Sequence, residues 1–288
     1  SKGKWRTNCI AYSAGHKRSV VVGYSIHRKV GVINAKTFQI EVENKIATRV
    51  CTSRGNFEAD VIIGGADYHH IETALLPAAA QSYSDTYWDS RVMAPSCLIY
   101  YIGLNKKLTD VQHHTLFFDT SFEVHGAEIY TTKSWPTDPL FYMSVTSVTD
   151  ATSAPEGHEN LFLLMPVATG LAGDTEDVRE KYLDQMLTRI EKRLGQSVKD
   201  AIVYKRSFAQ SDFILDYHAF KGNAYGLANT LLQTAILKPS CKSKKVNNLY
   251  YTGQLTVPGP GVPPSLISGE VVAELIEKNY INLQPRNV

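Results

Sequence analysis

An α/β fold is what this chain of 288 residues predicts, and three stretches carry the prediction. The first is LYYTGQLTVPGPGVPPSLISGEVVAELI at 249–276. It sets a short apolar strand beside a loop with three prolines and two glycines within six residues, and then an amphipathic helix. The second, DTEDVREKYLDQMLTRIEKRLG at 174–195, places Val178, Tyr182, Met186, Leu187, Ile190 and Leu194 on one helical face. Acids crowd its start, where the helix dipole favours them, and Gly195 follows its end. The third is a run of alternating segments, FQIEVEN, KIATRVCT and FEADVIIGG, between 38 and 65. Period-2 patterning there and period-3.6 patterning elsewhere require both strands and helices.

Taken in order, residues 1 to 33 have weak periodicity, and SVVVGYSIHRKVGVI at 19–33 reads as one or two strands without an evident partner. From 38 a three-stranded meander follows, turning at Glu43 to Lys45 and again at SRGN. Its last strand ends in a fully apolar run, as a strand entering a buried parallel sheet does. GGAD at 64–67 opens a helical stretch, and from 67 to about 244 the texture is mixed helix and strand with many aromatics. Within it SCLIYYIGL at 96–104 and NLFLLMPV at 160–167 read as buried strands, and so does NNLYYTG at 247–253. No internal repeat or low-complexity tract interrupts the series.

Composition narrows the function. Hydrophobic residues make up 43% of the chain, enough for a sizeable core. Thirty Lys and Arg against 28 Asp and Glu leave a formal charge of +2, with no block of like charges, so nucleic acid is not an implied partner. The nearest basic run, KPSCKSKK at 238–245, reads as a solvated loop or a weak contact with anionic lipid. Cys9, Cys51, Cys97 and Cys241 are too widely spaced for a zinc motif or a compact disulfide framework, which fits a reducing, cytoplasmic interior. No run of apolar residues is long enough for a spanning helix and no leader is expected, so any membrane contact is peripheral. His69-His70 and His113-His114 are adjacent pairs whose side chains diverge on helix or strand, so no metal site is expected there.

A buried strand that feeds a glycine-rich loop before a helix is the arrangement with which α/β folds hold a nucleotide or flavin. Gly259 and Gly261 allow close backbone approach by a flat ligand, and the prolines stiffen that backbone. Ser268 and Gly269 are small enough for a first helical turn to sit close by. A Pro-rich connector leading to a C-terminal core helix has the same composition.

The stretch NNLYYTGQLTVPGPGVPPSLISGEVVAEL closely resembles the C-terminal flavin motif of the bacterial and fungal type phytoene desaturases, FAD-dependent enzymes of carotenoid synthesis. Upstream, NAKTFQIEVENKIATRVCTSRGNFEADVIIGGADYHHIE at 34–72 resembles the family's β-meander and return strand. CLIYYIGLNKKLTDVQHHTLFFD, SVTDATSAPEGHENLFLLMPV, FAQSDFILDYHAFKGNAYGL and TLLQTAILKP resemble its substrate domain, in the family's order. The resemblance begins near residue 34, and no segment matches the G-x-G-x-x-G that opens the family, so it is to the C-terminal portion of a member.

The resemblance implies the two-domain FAD-binding flavoprotein type: an incomplete FAD domain from 30–66 and 245–288, a substrate domain from 67–244, and 1–29 unassigned. It implies FAD as cofactor, a carotenoid or other isoprenoid lipid as substrate, and a cytoplasmic enzyme peripheral to the membrane. Gly253 and Gln254 fall near the ribityl chain and phosphates. Val257, Pro258, Gly259, Gly261, Val262 and Pro263 fall beside the isoalloxazine, and Ser268 falls at the start of the helix. Thr37 occupies the position whose backbone meets the adenine. Gln254 departs from the acidic residue of related amine oxidases. Gly222 and Asn223, in FKGNAYG, approach from the substrate side. No catalytic acid or base is identified; Asp212 and Asp216 are candidates to deprotonate a cationic intermediate, against surface or capping roles. Tyr100, Tyr101, Tyr217 and Trp88 are tunnel candidates or ordinary core aromatics. Related activities, carotenoid isomerisation or retinol saturation, stay open, as does a flavin-poor lipid-binding subunit.

Overall fold

The computed structural model describes residues 20–24, 30–34 and 37–281. Most of the unassigned stretch 1–29, and residues 282–288, lie outside them. The described residues form two compact units. One holds those up to Ala94, Ile214–Phe220 and those from Tyr225 onward; the other holds Pro95–Phe213 and Lys221–Ala224.

In the first unit, β1 (Val20–Tyr24) and β2 (Val30–Asn34) are antiparallel partners, and β1 also pairs with a later strand. The stretch without an evident partner therefore extends a sheet whose other members lie far along the chain. The meander is β3 (Thr37–Glu43), β4 (Ile46–Thr52) and β5 (Gly55–Glu58). Asn44 and Lys45 join the first two at φ of 50° and 64°, the left-handed pair a tight hairpin turn needs.

The third meander strand is shorter than the sequence pattern suggests. Its four residues are all exposed, and the chain breaks at Ala59–Asp60 before β6 (Val61–Gly64) enters a different sheet. The cause is burial: Val61 and Ile62 are fully covered, and β6 pairs parallel with β12 (Leu249–Tyr251) on one side and antiparallel with β1 on the other. The sheet, in order β12-β6-β1-β2, is thus mixed. Asn248 ties it to the meander. Its Oδ1 accepts from Ala47 N at 2.8 Å, and its Nδ2 donates to the carbonyls of Ala47 and Asp60.

Gly64 ends β6 where a Cβ would lie 2.5 Å from Ile71 Cδ1, so a larger residue would have to displace the Ile71 side chain that packs there. The helical turn that follows is α1 (Tyr68–His70), whose N-terminus Asp67 caps at 3.0 Å, continuing as a wider turn over Ile71–Leu75. Tyr68 stacks on Tyr251 at 3.7 Å, and the fully buried Trp88 of α2 (Asp85–Asp89) packs on the same core.

The second unit is an antiparallel sheet in the order β11-β7-β10-β9-β8. Its strands are β7 (Ser96–Leu104), β8 (His114–Phe117), β9 (Phe141–Ser144), β10 (Glu159–Val167) and β11 (Ile202–Phe208). The helix α3 (Phe122–Tyr130) lies between β8 and β9 in sequence. The helix read at 174–195 is α4 (Glu176–Leu194), capped by Thr175 and ended by Gly195 at φ 65°. Its Tyr182, Met186, Leu187 and Ile190 share one core cluster with Leu98, Leu161, Leu163 and Met165. In β10 alternate residues are buried, Leu161, Leu163, Met165 and Val167 within this cluster, and the residues between them are half-buried. In β7, Tyr100 is core, its hydroxyl donating to the Arg179 carbonyl at 2.5 Å, while Tyr101 is exposed. Next comes α5 (Gln210–Tyr217), and α6 (Val262–Ile281) ends the described chain.

Candidate functional site

The site is built where β12 ends. Gly253, at φ 109°, turns the chain out of the strand into a ribbon that runs to Gly261, with Gly259 and Gly261 also in left-handed φ. No side chain but glycine adopts these angles readily. The Val257–Pro258 bond is cis. The ribbon's underside is tied down. Leu255 and Thr256 are buried, and the Thr256 hydroxyl donates to the Pro239 carbonyl at 2.7 Å. Cys241 Sγ lies 3.2 Å from the same hydroxyl, and burial pushes this thiol's pKa up. Gly226, φ 81°, supports Gln254: a Cβ there would stand 2.5 Å from the Gln254 carbonyl oxygen.

The helix that follows starts earlier than expected. It begins at Val262, so Val262 and Pro263 lie in its first turn and Ser268 lies well inside it. Prolines favour this because their fixed φ suits a first turn and their missing N–H has no helical partner there anyway. Two prolines, 263 and 264, also leave this helix end with few free donors. Ser268 instead works backward: its fully buried hydroxyl accepts from Gly253 N at 2.9 Å and donates to the Ser265 carbonyl at 2.6 Å. Ser268 and Gly253 are thus two expected site residues that a direct bond brings together.

The glycines do not all serve one purpose. Nothing lies within 4 Å of where a Gly253 Cβ would stand, and at Gly261 only the Pro264 ring approaches, at 3.4 Å. The open face of Gly259 is taken by Lys238, whose Cε would sit 2.9 Å from an added Cβ. Gly261, Val262, Pro263 and Pro258 are exposed, whereas Val257 and Gln254 are half-buried. Thr37 belongs to the meander, paired with Thr52, and among the described residues its buried hydroxyl has no hydrogen-bond partner.

Gly222 and Asn223 lie in the second unit, both buried. Gly222, φ 64°, is glycine because Gln210 Cβ and Cγ would stand 3.0 Å from a Cβ, and its carbonyl accepts from Ser96 Oγ at 2.6 Å. Asp212 is a structural carboxylate: it accepts from Ala209 N at 2.9 Å and pairs with Arg179 Nη1 at 2.8 Å. Asp216 is half-buried on the same helix. The histidine pairs point to separate partners. His69 stacks on Phe220 and His70 on His218, while His113 bonds Thr149 and His114 bonds Tyr142.

Two residues of the first unit escaped the sequence reading. Glu72 is fully buried; it accepts from the Tyr251 hydroxyl, from Ser82 N, and from Tyr83 N at 3.3 Å. Burial raises its pKa against those bonds. Lys238 is the other. The segment 238–245, read as a solvated loop, is solvated only in part, since Lys238, Cys241 and Ser243 are buried while Lys244 and Lys245 are exposed. Neither residue carries a motif; long-range packing buries them. The site thus sets an open glycine face at Gly253 in the same ribbon as a buried lysine whose Nζ has no hydrogen-bond partner among the described residues.

No protein-family model matches the chain. Over 217 residues, 75% of this chain and 44% of the relative, it is 44% identical to a carotenoid 3,4-desaturase of Haloarcula japonica. It is 28% identical to a 4,4'-diapolycopen-4-al dehydrogenase of Metabacillus indicus, over 88% of this chain and 50% of the relative. A lycopene-forming phytoene desaturase of Paracoccus sp. is 26% identical over 94% of this chain and 56% of its own length. The chain thus spans about half the length of the curated relatives it matches. Among solved structures, an oxidoreductase from Methanosarcina mazei shares the fold with a TM-score of 0.50 at 16% identity, over 83% of this chain and 48% of that one. The structural match shows a shared α/β fold, and the sequence matches make the chain a homologue of carotenoid desaturases over about half of their length.

Proposed function

We propose that the chain carries the ring-facing ribbon and the substrate domain of an FAD-dependent carotenoid desaturase, an enzyme that introduces a double bond into a long isoprenoid chain. The observation that carries this reading is the ribbon from Gly253 to Gly261, stiff, glycine-faced and tied from below, in a chain 44% identical to a carotenoid 3,4-desaturase. A polyene precursor has no acidic proton and no polar handle, so side-chain acid/base chemistry alone cannot start its oxidation. FAD, when bound, supplies an acceptor at N5 for the hydride that leaves an allylic carbon as a proton leaves its neighbour.

The chain's own residues orient and exclude water. Ser268 holds Gly253 N, so the open Gly253 face keeps one direction. Thr256 and Pro239 stop the ribbon from lifting. Val257, Pro258, Gly259, Gly261, Val262 and Pro263 form the surface assigned to the ring, Gln254 the ribityl side, and Thr37 the adenine side. The first unit takes the flavin role and the second the substrate role. On the substrate side the role falls to Asn223 more than Gly222, because Gln210 occupies the face that Gly222 leaves open. The lipid substrate requires access from a bilayer, and an apolar stretch suits that: Leu231, Leu232 and Ile236 are 89%, 78% and 93% exposed.

The test is incubation of the purified chain with FAD and liposomes carrying phytoene, or an acyclic carotenoid saturated at C3–C4. A product two hydrogens lighter supports the reading. An unchanged hydrogen count with a shifted spectrum marks an isomerase, a gain of hydrogens marks a saturase, and lipid uptake with no flavin bound marks a binding subunit.

A further inference from the structure

Lys238 stands out among the buried groups. It follows an exposed apolar pair, Ile236 and Leu237, yet it is only 4% exposed itself. Its side chain runs over the bare α-carbon of Gly259, so that Nζ would lie 3.3 Å from a Cβ placed there and Asn229 Oδ1 would lie 3.7 Å from the same point. Among the described residues Nζ has no hydrogen-bond partner. A lysine tip in this position needs an acceptor, because an ammonium withdrawn from water without one is among the costliest groups a fold can hold. Burial alone lowers its pKa, and no carboxylate raises it again. The ribbon beside it offers glycine and proline, which carry no anionic side chain. The acceptor is therefore to be brought by whatever lies on that ribbon.

We propose that Lys238 is the cation that binds the electron-rich carbonyl edge of a flavin ring seated on the 253–261 ribbon, a role that rests on the flavin reading above. A fixed positive charge at that edge donates a charge-assisted hydrogen bond to the ring and favours the anionic, reduced form over the neutral, oxidised one. Gly259 is then glycine for the lysine's sake: any side chain would displace the ammonium from the ribbon's edge.

The test uses the whole chain, titrated with riboflavin and with FAD and followed by flavin fluorescence, for the wild type, Lys238→Met and Lys238→Arg. Riboflavin carries the ring without a pyrophosphate, so it reports on the ribbon by itself. Lys238→Met is expected to bind both about tenfold or more weakly, the size of one charge-assisted hydrogen bond. Its bound flavin should have a more negative midpoint potential, and Lys238→Arg should recover part of both. Ligand-free Lys238→Met should melt no lower than wild type, since an unpaired charge has been replaced by an apolar chain of similar length. Wild-type affinity and potential in Lys238→Met overturn the lysine's role while leaving the flavin reading standing. A ligand-free Lys238→Met that melts below wild type shows an ammonium already satisfied within the fold, and overturns it as well. A wild-type chain that takes up neither riboflavin nor FAD removes the flavin reading and this role together.

Discussion

Glu72 and His70 sit two residues apart, and burial shifts each toward its neutral form. Glu72 is held by the Tyr251 hydroxyl and two backbone donors, with its pKa raised chiefly by burial. Glu72→Gln keeps an acceptor for Ser82 and Tyr83 and a partner for Tyr251, so stability should change by no more than about 1 kcal/mol, whereas Glu72→Ala should cost about 3 kcal/mol or more. A carboxyl with a raised folded pKa loses stability as pH rises from the ordinary range through the raised value, and denaturant melts of Glu72→Gln should lack that slope. His70 runs the other way. Its pKa is lowered to about 4, first by burial and then by His218 and His69. Between an unfolded value near 6.5 and that folded value, the unfolded chain binds a proton the folded one refuses, so stability falls as pH drops through this window. His70→Phe, which keeps a ring against His218, should flatten that loss, worth roughly 3 kcal/mol at most. The burial of neither residue could be read from sequence, although His70 drew notice as half of a histidine pair. A glutamate at a helical turn looks exposed until a tyrosine 179 positions away is found to close over it.

At the scale of elements, legibility followed periodicity. The helix α4 was readable to within a residue or two because an apolar face, acids crowding its start and a glycine after its end all agreed. The strand β7 was readable for its length, but not for Tyr101, since an unbroken apolar run does not say which face is covered. The start of α6 was misread for a definite reason: prolines interrupt a helical pattern inside a helix but are at home in its first turn. With the helix beginning at Val262, Ser268 becomes a bracket between α6 and the ribbon. Ser268→Ala leaves Gly253 N without its acceptor in a partly buried place, and thermal unfolding should show a loss of about 1 kcal/mol. If Ser268 only filled space, the loss would be a few tenths. Similarly, Asp212 and Arg179 show why a lone aspartate near a candidate site is weak evidence for a base: this one is engaged in an ion pair and a backbone cap.

At the scale of the whole molecule, two compact units are built from discontinuous stretches of chain; the first holds the four-stranded sheet and the meander, the second the five-stranded antiparallel sheet. Among the described residues no helix is long and apolar enough to cross a membrane. The apolar side chains at Leu231, Leu232 and Ile236 nonetheless stand in solvent, and a lipid-facing role predicts a simple result. The chain should float with liposomes in a density gradient, and Leu231→Asp combined with Ile236→Asp should leave most of it in the aqueous fraction with its melting temperature unchanged. Equal flotation of the variant would mean that these residues face something other than lipid. What the sequence determined by itself was local and ordered: the helix α4, the hairpin turn at Asn44–Lys45, the glycine ribbon, and the succession of segments that resembles a desaturase, since each depends on neighbours a few residues apart. The apolar end of the third segment pointed to a buried parallel sheet, but only the tertiary structure decided that its partner is β12, that Gly259 makes room for Lys238, and that Glu72 is enclosed. Those outcomes depend on which distant surfaces exclude water from one another, and burial of that kind leaves no period in the chain to be read.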